Sequence, residues 1–255
     1  MDIFHAIILG AIEGATEFLP VSSTGHLILV SHLLGIPQSS FLTSFEIAIQ
    51  LGAISAVALL YWRSFFKLDI VKRLIVGFIP TAVIGFVLYS FVKHYLLTNE
   101  VLVIITLIVG GIFLIAFELL HREKEEIPAD ITAITYRQAA LVGVFQSLAM
   151  VPGVSRSAAT IVGGLVLGIR RAAIVEFSFL LAVPTMGAAV ALDVLKTYKT
   201  FPVDALPTMA YGFVTAFLVA LVAIRFLLNY VKKAGFIPFG VYRILIALFF
   251  LVLIF

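Results

Sequence analysis

Charge is missing from long stretches of this chain, and that absence limits its folds more than any other feature. Leu74 to Val92, Val101 to Phe117 and Ala205 to Ile224 contain no charged residue. Thr43 to Trp62 contains one acid, Phe177 to Leu192 has Glu176 just outside its edge, and Ile237 to Phe255 contains Arg243. At about 1.5 Å of rise per helical residue, runs of this order suit a hydrocarbon core about 30 Å thick. A backbone in lipid must satisfy its own polar groups, which favours helices. Composition agrees: 12% of the 255 residues are charged, against about 25% in a soluble domain. The pattern predicts an all-α polytopic membrane protein with six transmembrane helices.

Two further apolar regions, residues 3–34 and 137–169, are broken in the middle. The breaks read Pro20-Val21-Ser22-Ser23-Thr24-Gly25 and Pro152-Gly153-Val154-Ser155-Arg156-Ser157. Each region is either one discontinuous span or a re-entrant hairpin that returns to the face it came from. Lys and Arg gather on the cytoplasmic side of a membrane protein, and this separates the two options. If both regions span, the basic residues divide 9 to 7, leaving Arg156 aside. If both are hairpins, one face holds Arg63, Lys67, Lys72, Arg73, Arg122, Lys124, Arg137, Arg170, Arg171, Arg225, Lys232, Lys233 and Arg243. The other then holds only Lys93, Lys196 and Lys199, a 13 to 3 division that favours hairpins and puts both termini outside the cytoplasm.

A weak internal repeat supports the same reading at an offset of about 132 to 135 residues. Pro20 matches Pro152, Phe45 matches Phe177, and Gly77-Phe78 matches Gly212-Phe213. The whole chain, 1–255, is thus expected to be one membrane domain of two pseudo-repeats, 1–120 and 136–255, joined by a polar linker, 121–135. One hairpin plus three spans in each half inverts the second half relative to the first, and the breaks should meet near the bilayer midplane. Cysteine is absent, which excludes disulfides and thiolate chemistry. The net charge of +3 comes without any long basic run, so nucleic acid is not an expected partner. Met1-Asp2 is acidic where a secretory signal is basic, and no cleavage is expected.

The breaks hold the chemistry. Glu13 and Glu17 lie four residues apart, on one face of a helix. Paired carboxylates in an apolar segment need a cation, and Mg²⁺ is commonly held by one or two carboxylates together with substrate phosphate. Ser22, Ser23 and Thr24 stand where a new helix begins, as caps or as anion donors at its N-terminus. His26 is three residues beyond Ser23, within reach across one turn. The second break offers Arg156, isolated among uncharged residues, whose planar fork suits phosphate. A plainer role for Arg156 is a salt bridge to Glu13 or Glu17 that holds the breaks together. Hydroxyls, two acids, a His and an Arg converging in a membrane describe a site for a lipid phosphate or diphosphate.

EGATEFLPVSSTGH at residues 13–26 and PGVSRSAAT at 152–160 strongly resemble the undecaprenyl-diphosphate phosphatase family of the bacitracin-resistance type. The likeness extends over essentially the whole chain. Ala158 departs from the Gly expected after Ser-Arg-Ser. The resemblance implies a bacterial plasma-membrane enzyme that removes the terminal phosphate of undecaprenyl diphosphate and regenerates the carrier for cell-wall synthesis. It also implies dependence on a divalent cation, Mg²⁺ or Ca²⁺, and a site open to the extracytoplasmic side. Functional weight falls on Glu13, Glu17, Ser23, His26 and Arg156, with Ser22, Thr24, Ser155, Ser157 and Thr160 as supporting phosphate donors. The type-2 phosphatidic acid phosphatases use similar fragments, Ser-Gly-His and Ser-Arg, where this chain has Thr24-Gly25-His26 and Ser155-Arg156. Their pattern wants a His six residues after the Arg, where this chain has Val162.

For the chemistry, Ser23 as nucleophile with His26 as base is the favoured arrangement, with phosphohistidine or direct attack by water as alternatives. Glu46, Gln50 and Glu176 are expected to support or gate the site. A transporter or flippase of an anionic polyprenyl lipid is the rival function, since inverted repeats with broken midplane segments are common in transporters. The expected partners are a polyprenyl diphosphate and the membrane, with a homodimer open as an assembly.

Overall fold

A computed structural model describes residues 1–95, 100–121, 130–197, 205–231 and 235–254. The regular elements among these are ten α-helices and three short 3₁₀ turns. In chain order the helices are α1 (Ile3–Thr16), α2 (Ser23–Leu33), α3 (Ser40–Leu60), α4 (Leu68–Tyr95) and α5 (Glu100–Leu120). They continue with α6 (Tyr136–Ser147), α7 (Arg156–Val166), α8 (Arg171–Thr197), α9 (Leu206–Val231) and α10 (Ile237–Ile254). The charged part of the expected linker, Arg122 to Glu126, lies outside the described residues, as do Lys199, Lys232 and Lys233.

Five helices, α3, α4, α5, α8 and α9, are long and apolar enough to cross a membrane. The sixth expected span is α10, an apolar helix of 18 residues that falls just short of them. Phe86, Val87, Leu120, Val222 and Val252 all project outward and are exposed, as an apolar solvent permits and water does not. The chain is a multi-pass membrane protein.

Both broken regions are paired short helices, and their boundaries follow from local chemistry. α1 has 14 residues, and the chain then turns through Pro20 before α2 starts. α6 has 12 residues, followed by a 3₁₀ turn at Leu148–Met150, Pro152 and the start of α7. Ser22 caps α2 by accepting from the Gly25 amide at 3.3 Å, and Ser155 caps α7 by accepting from the Ala158 amide at 3.2 Å. The two caps share a further property. They are the non-glycine residues with positive φ among those described, at 72° and 74°. At about 1–3 kcal/mol each, such a backbone persists only where its surroundings demand it.

The halves interlock. α1 and α3 pack on α9, α6 packs on α4, α3 meets α8, and α5 lies along α10. Close approaches use glycine: a Cβ on Gly10 would strike the Gly212 carbonyl, and one on Gly143 would strike the Gly77 carbonyl. Close backbone contact of this kind is how membrane helices gain packing without a hydrophobic driving force. The two limbs of the second broken region end side by side, where Gln138 Nε2 of α6 donates to the Leu167 carbonyl beyond α7 at 3.1 Å. Ala6 of α1, Leu27 of α2, Leu42 of α3 and Met209 of α9 share one buried cluster, into which Leu34 and Ile36 also pack.

Arg243 corrects the charge count. Placed by sequence on a membrane face, it is completely buried. Its guanidinium donates to the Gly153 carbonyl at 2.7 Å and to those of Thr106 and Val154 at 3.0 and 3.1 Å. Longer bonds of 3.4 Å reach the Leu107 and Pro20 carbonyls. Both breaks hang from this one side chain, and the flank tally without it is 12 to 3.

Candidate active site

The two breaks face each other across a cavity of about 320 Å³. Its wall takes Glu17, Ser22, Ser23 and Thr24 from the first break, Pro152, Gly153, Ser155 and Arg156 from the second, and Gln50 from α3. Thr81, Gln146, Thr185 and Met186 close the remaining side. The first residues of α2 and α7 therefore both border the cavity, and helix N-termini favour anions there.

Glu17 is the junction. Its Oε1 accepts from Arg156 Nη2 at 2.8 Å, and its Oε2 accepts from the Ser23 hydroxyl. Arg156 also donates from Nη1 to the Ser178 carbonyl at 3.0 Å, and its guanidinium carbon lies 5.5 Å from the centre of the Phe18 ring. The salt bridge expected as the plainer role of Arg156 is thus present. It does not exhaust the side chain, because the buried Nε–H has no acceptor.

Glu13 is completely buried one turn before Glu17, and neither of its carboxylate oxygens has a hydrogen-bond partner. It stands behind the cavity wall rather than in it, within electrostatic reach of Glu17, Glu46 and Arg156. Glu46 Oε1 is likewise buried and without a partner. No cluster of three or more acidic or imidazole ligands exists among the described residues.

His26 does not meet Ser23. Its Nδ1 lies 2.7 Å from the Ser22 carbonyl, which only accepts, so Nδ1 carries the proton. Nε2 then accepts from the Tyr242 hydroxyl at 2.8 Å, and the two rings lie parallel with centres 5.5 Å apart. Both nitrogens of a neutral His26 are therefore occupied away from the serine. The three-residue spacing was sound as helical geometry, but α2 starts at Ser23 and the ring folds back to the carbonyl four residues earlier.

The other expected donors divide. Ser22, Thr24 and Ser155 reach the wall as well as capping or leading their helices. Ser157 donates instead to the Leu19 carbonyl at 2.7 Å, and Thr160 bonds Ser178 at 2.6 Å, which stitches the second break to the first and to α8. Gln50 lines the cavity. Glu176 does not: its charged neighbours are Lys67 and Asp130, near Tyr61. Tyr242, Arg243, Gln146, Thr81 and Thr185 were missed by sequence reasoning, since each is an ordinary residue in an apolar run whose partners are remote in the chain.

A model of the family described as bacitracin resistance protein BacA matches residues 6–249. The chain is similar to the undecaprenyl-diphosphatase of Persephonella marina, at 50% identity over 100% of both chains. The undecaprenyl-diphosphatase of Wolinella succinogenes is 51% identical over 98% of each chain, and that of Aquifex aeolicus 47% over 97% of each.

Proposed function

Because the chain belongs to the bacitracin resistance protein BacA family, we propose that it is a membrane phosphatase that hydrolyses undecaprenyl diphosphate to undecaprenyl phosphate and inorganic phosphate, recycling the lipid carrier. The observation that carries the chemistry is the Glu17 junction, where one carboxylate receives the Ser23 hydroxyl and the Arg156 guanidinium at the cavity wall. Ser23 Oγ attacks the terminal phosphorus, its proton passes to Glu17, and the bridging P–O bond breaks to release the lipid monophosphate. Water then attacks the seryl phosphate, Glu17 returns its proton to the serine oxygen, and inorganic phosphate leaves with the oxygen and both protons of the water. Arg156, with an unmet Nε–H, binds and neutralises the phosphoryl group. His26 acts by position: it fixes the Ser22 carbonyl and so the start of α2.

A hard divalent cation, Mg²⁺ or Ca²⁺, would be held by the buried, unpartnered carboxylate of Glu13 together with Glu17. Such a cation supplies charge neutralisation on the transferring group. The reading extends to topology. The paired ends of the second broken region and the crossed packing of α1 on α9 and α6 on α4 support two re-entrant hairpins within six spans. They equally support inverted pseudo-repeats 1–120 and 136–255. The surviving charge bias supports termini outside the cytoplasm, and the family supports a bacterial plasma membrane setting with the site open to the extracytoplasmic side.

The test is phosphate release from undecaprenyl diphosphate by purified protein in detergent, with and without a chelator. Release that stops on chelation is expected. Lipid binding with no release would leave the flippase reading instead, because vectorial transport has no meaning in detergent.

A further inference from the structure

Gln146 of α6 is almost fully buried, with 2% of its surface exposed, and it lines the cavity. Its Nε2 donates to Thr81 Oγ1 at 2.8 Å and Thr185 Oγ1 at 3.1 Å. Which end of an amide is nitrogen is ordinarily an assignment, but here the neighbours decide it. The Thr81 hydroxyl donates its proton to the Gly143 carbonyl at 2.7 Å, and Thr185 donates to the Leu181 carbonyl at 2.8 Å. Each hydroxyl has one proton, so toward Gln146 each can only accept. The NH₂ group must face the threonines. Oε1 is left buried, held in place and without a partner.

That oxygen is an acceptor in a site otherwise suited to an anion. The cavity's carboxylate, Glu17, already receives Arg156 on one oxygen and Ser23 on the other. The unmet donor is Arg156 Nε–H. The two unmet groups share a wall, since Thr185 touches Gln146 while the next residue, Met186, lies 3.8 Å from Arg156 Nη2. Within a phosphate site, an oxyanion that keeps an O–H answers both, accepting from Nε–H and donating to Oε1.

Resting on the reading of this cavity as a phosphate site, we infer that Gln146 Oε1 accepts a hydrogen bond from a protonated oxygen of the terminal phosphoryl group, so that the site selects a hydrogen phosphate over a fully deprotonated oxyanion. The locked amide is the device: a rotating one would present NH₂ to either anion and discriminate between neither.

Inorganic phosphate and sulfate are the probes, because near neutral pH phosphate keeps at least one proton and sulfate none. Binding of phosphate to the purified protein in magnesium-containing detergent buffer is followed by ³¹P NMR, with sulfate as competitor. Sulfate is expected to compete at least about tenfold more weakly than phosphate, a difference of one or more hydrogen bonds. Gln146→Met, which leaves both threonine hydroxyls on their carbonyl acceptors, should bring the two anions within about twofold. Thr81→Val made together with Thr185→Val, which unlocks the amide, should narrow the gap in the same direction if Gln146→Met does not fold. Equal competition in the unmodified protein overturns the inference and leaves the phosphatase reading standing, as does discrimination that survives both substitutions. Failure of phosphate to bind at all overturns both.

Discussion

Aligned on their capping serines, Ser22 and Ser155, the two breaks share a backbone and differ in charge. Both place a non-glycine residue at positive φ, both cap the next helix through a serine oxygen, and both follow a proline. The residue after the cap is Ser23 in one and Arg156 in the other. Nine residues before the cap stand Glu13 and Gln146, and five before it stand Glu17 and Met150. One break therefore supplies acids and a hydroxyl, while the other supplies a cation and a neutral amide. Two breaks of similar backbone thus carry different side chains and form an asymmetric site. The backbone in common is what sets the two halves within bonding distance, as the Arg156–Glu17 pair shows.

The comparison can be broken most severely at Glu17. Glu17→Gln removes the proton acceptor for Ser23 and the partner of Arg156, and should cost about 10²- to 10⁴-fold in kcat with the helical circular dichroism retained. Near-normal turnover would reject the acid-bearing half as the source of the chemistry. Arg156→Lys keeps the charge but loses the fork. A fall of about 10²- to 10³-fold in kcat/KM is expected, and full activity would reduce Arg156 to a counter-ion. Tyr242→Phe deletes the hydroxyl on His26 Nε2 and should lower kcat/KM about fivefold, in keeping with one neutral hydrogen bond. A loss as large as that of Glu17→Gln would restore His26 to a direct part in the reaction. Ser22→Gly and Ser155→Gly, measured by thermal unfolding, should each shift stability by no more than about 1 kcal/mol, because glycine relieves the positive φ while the cap oxygen is lost. Unequal shifts would show that the breaks are not equivalent as scaffold.

What the sequence makes legible follows from how local the cause is. Uncharged runs locate the long helices, prolines and serines locate the breaks, and the four-residue spacing puts Glu13 and Glu17 on one side of α1. Each signal lies within a few residues of its consequence. Arg243 carries no such signal. Near the start of an apolar run it looks like a flank charge, and its acceptors are backbone carbonyls, which every residue has. The carbonyls it binds belong to Pro20, Thr106, Leu107, Gly153 and Val154, segments that only the fold assembles. Gln146 was silent for a related reason: its orientation depends on two threonines and on the carbonyls those threonines bind. His26 was visible, but its direction was set by Tyr242, 216 residues away.

The Arg243 cluster also bears on motion. Carrying a lipid headgroup from one side of a membrane to the other by rocking would require the two breaks to move apart. The guanidinium here acts as a rivet between them, fastened to carbonyls of both breaks and of α5. Parting the breaks would shear several charge-assisted bonds at once. The arrangement thereby favours a stationary anvil, a fixed centre to which the lipid headgroup travels and at which it is altered.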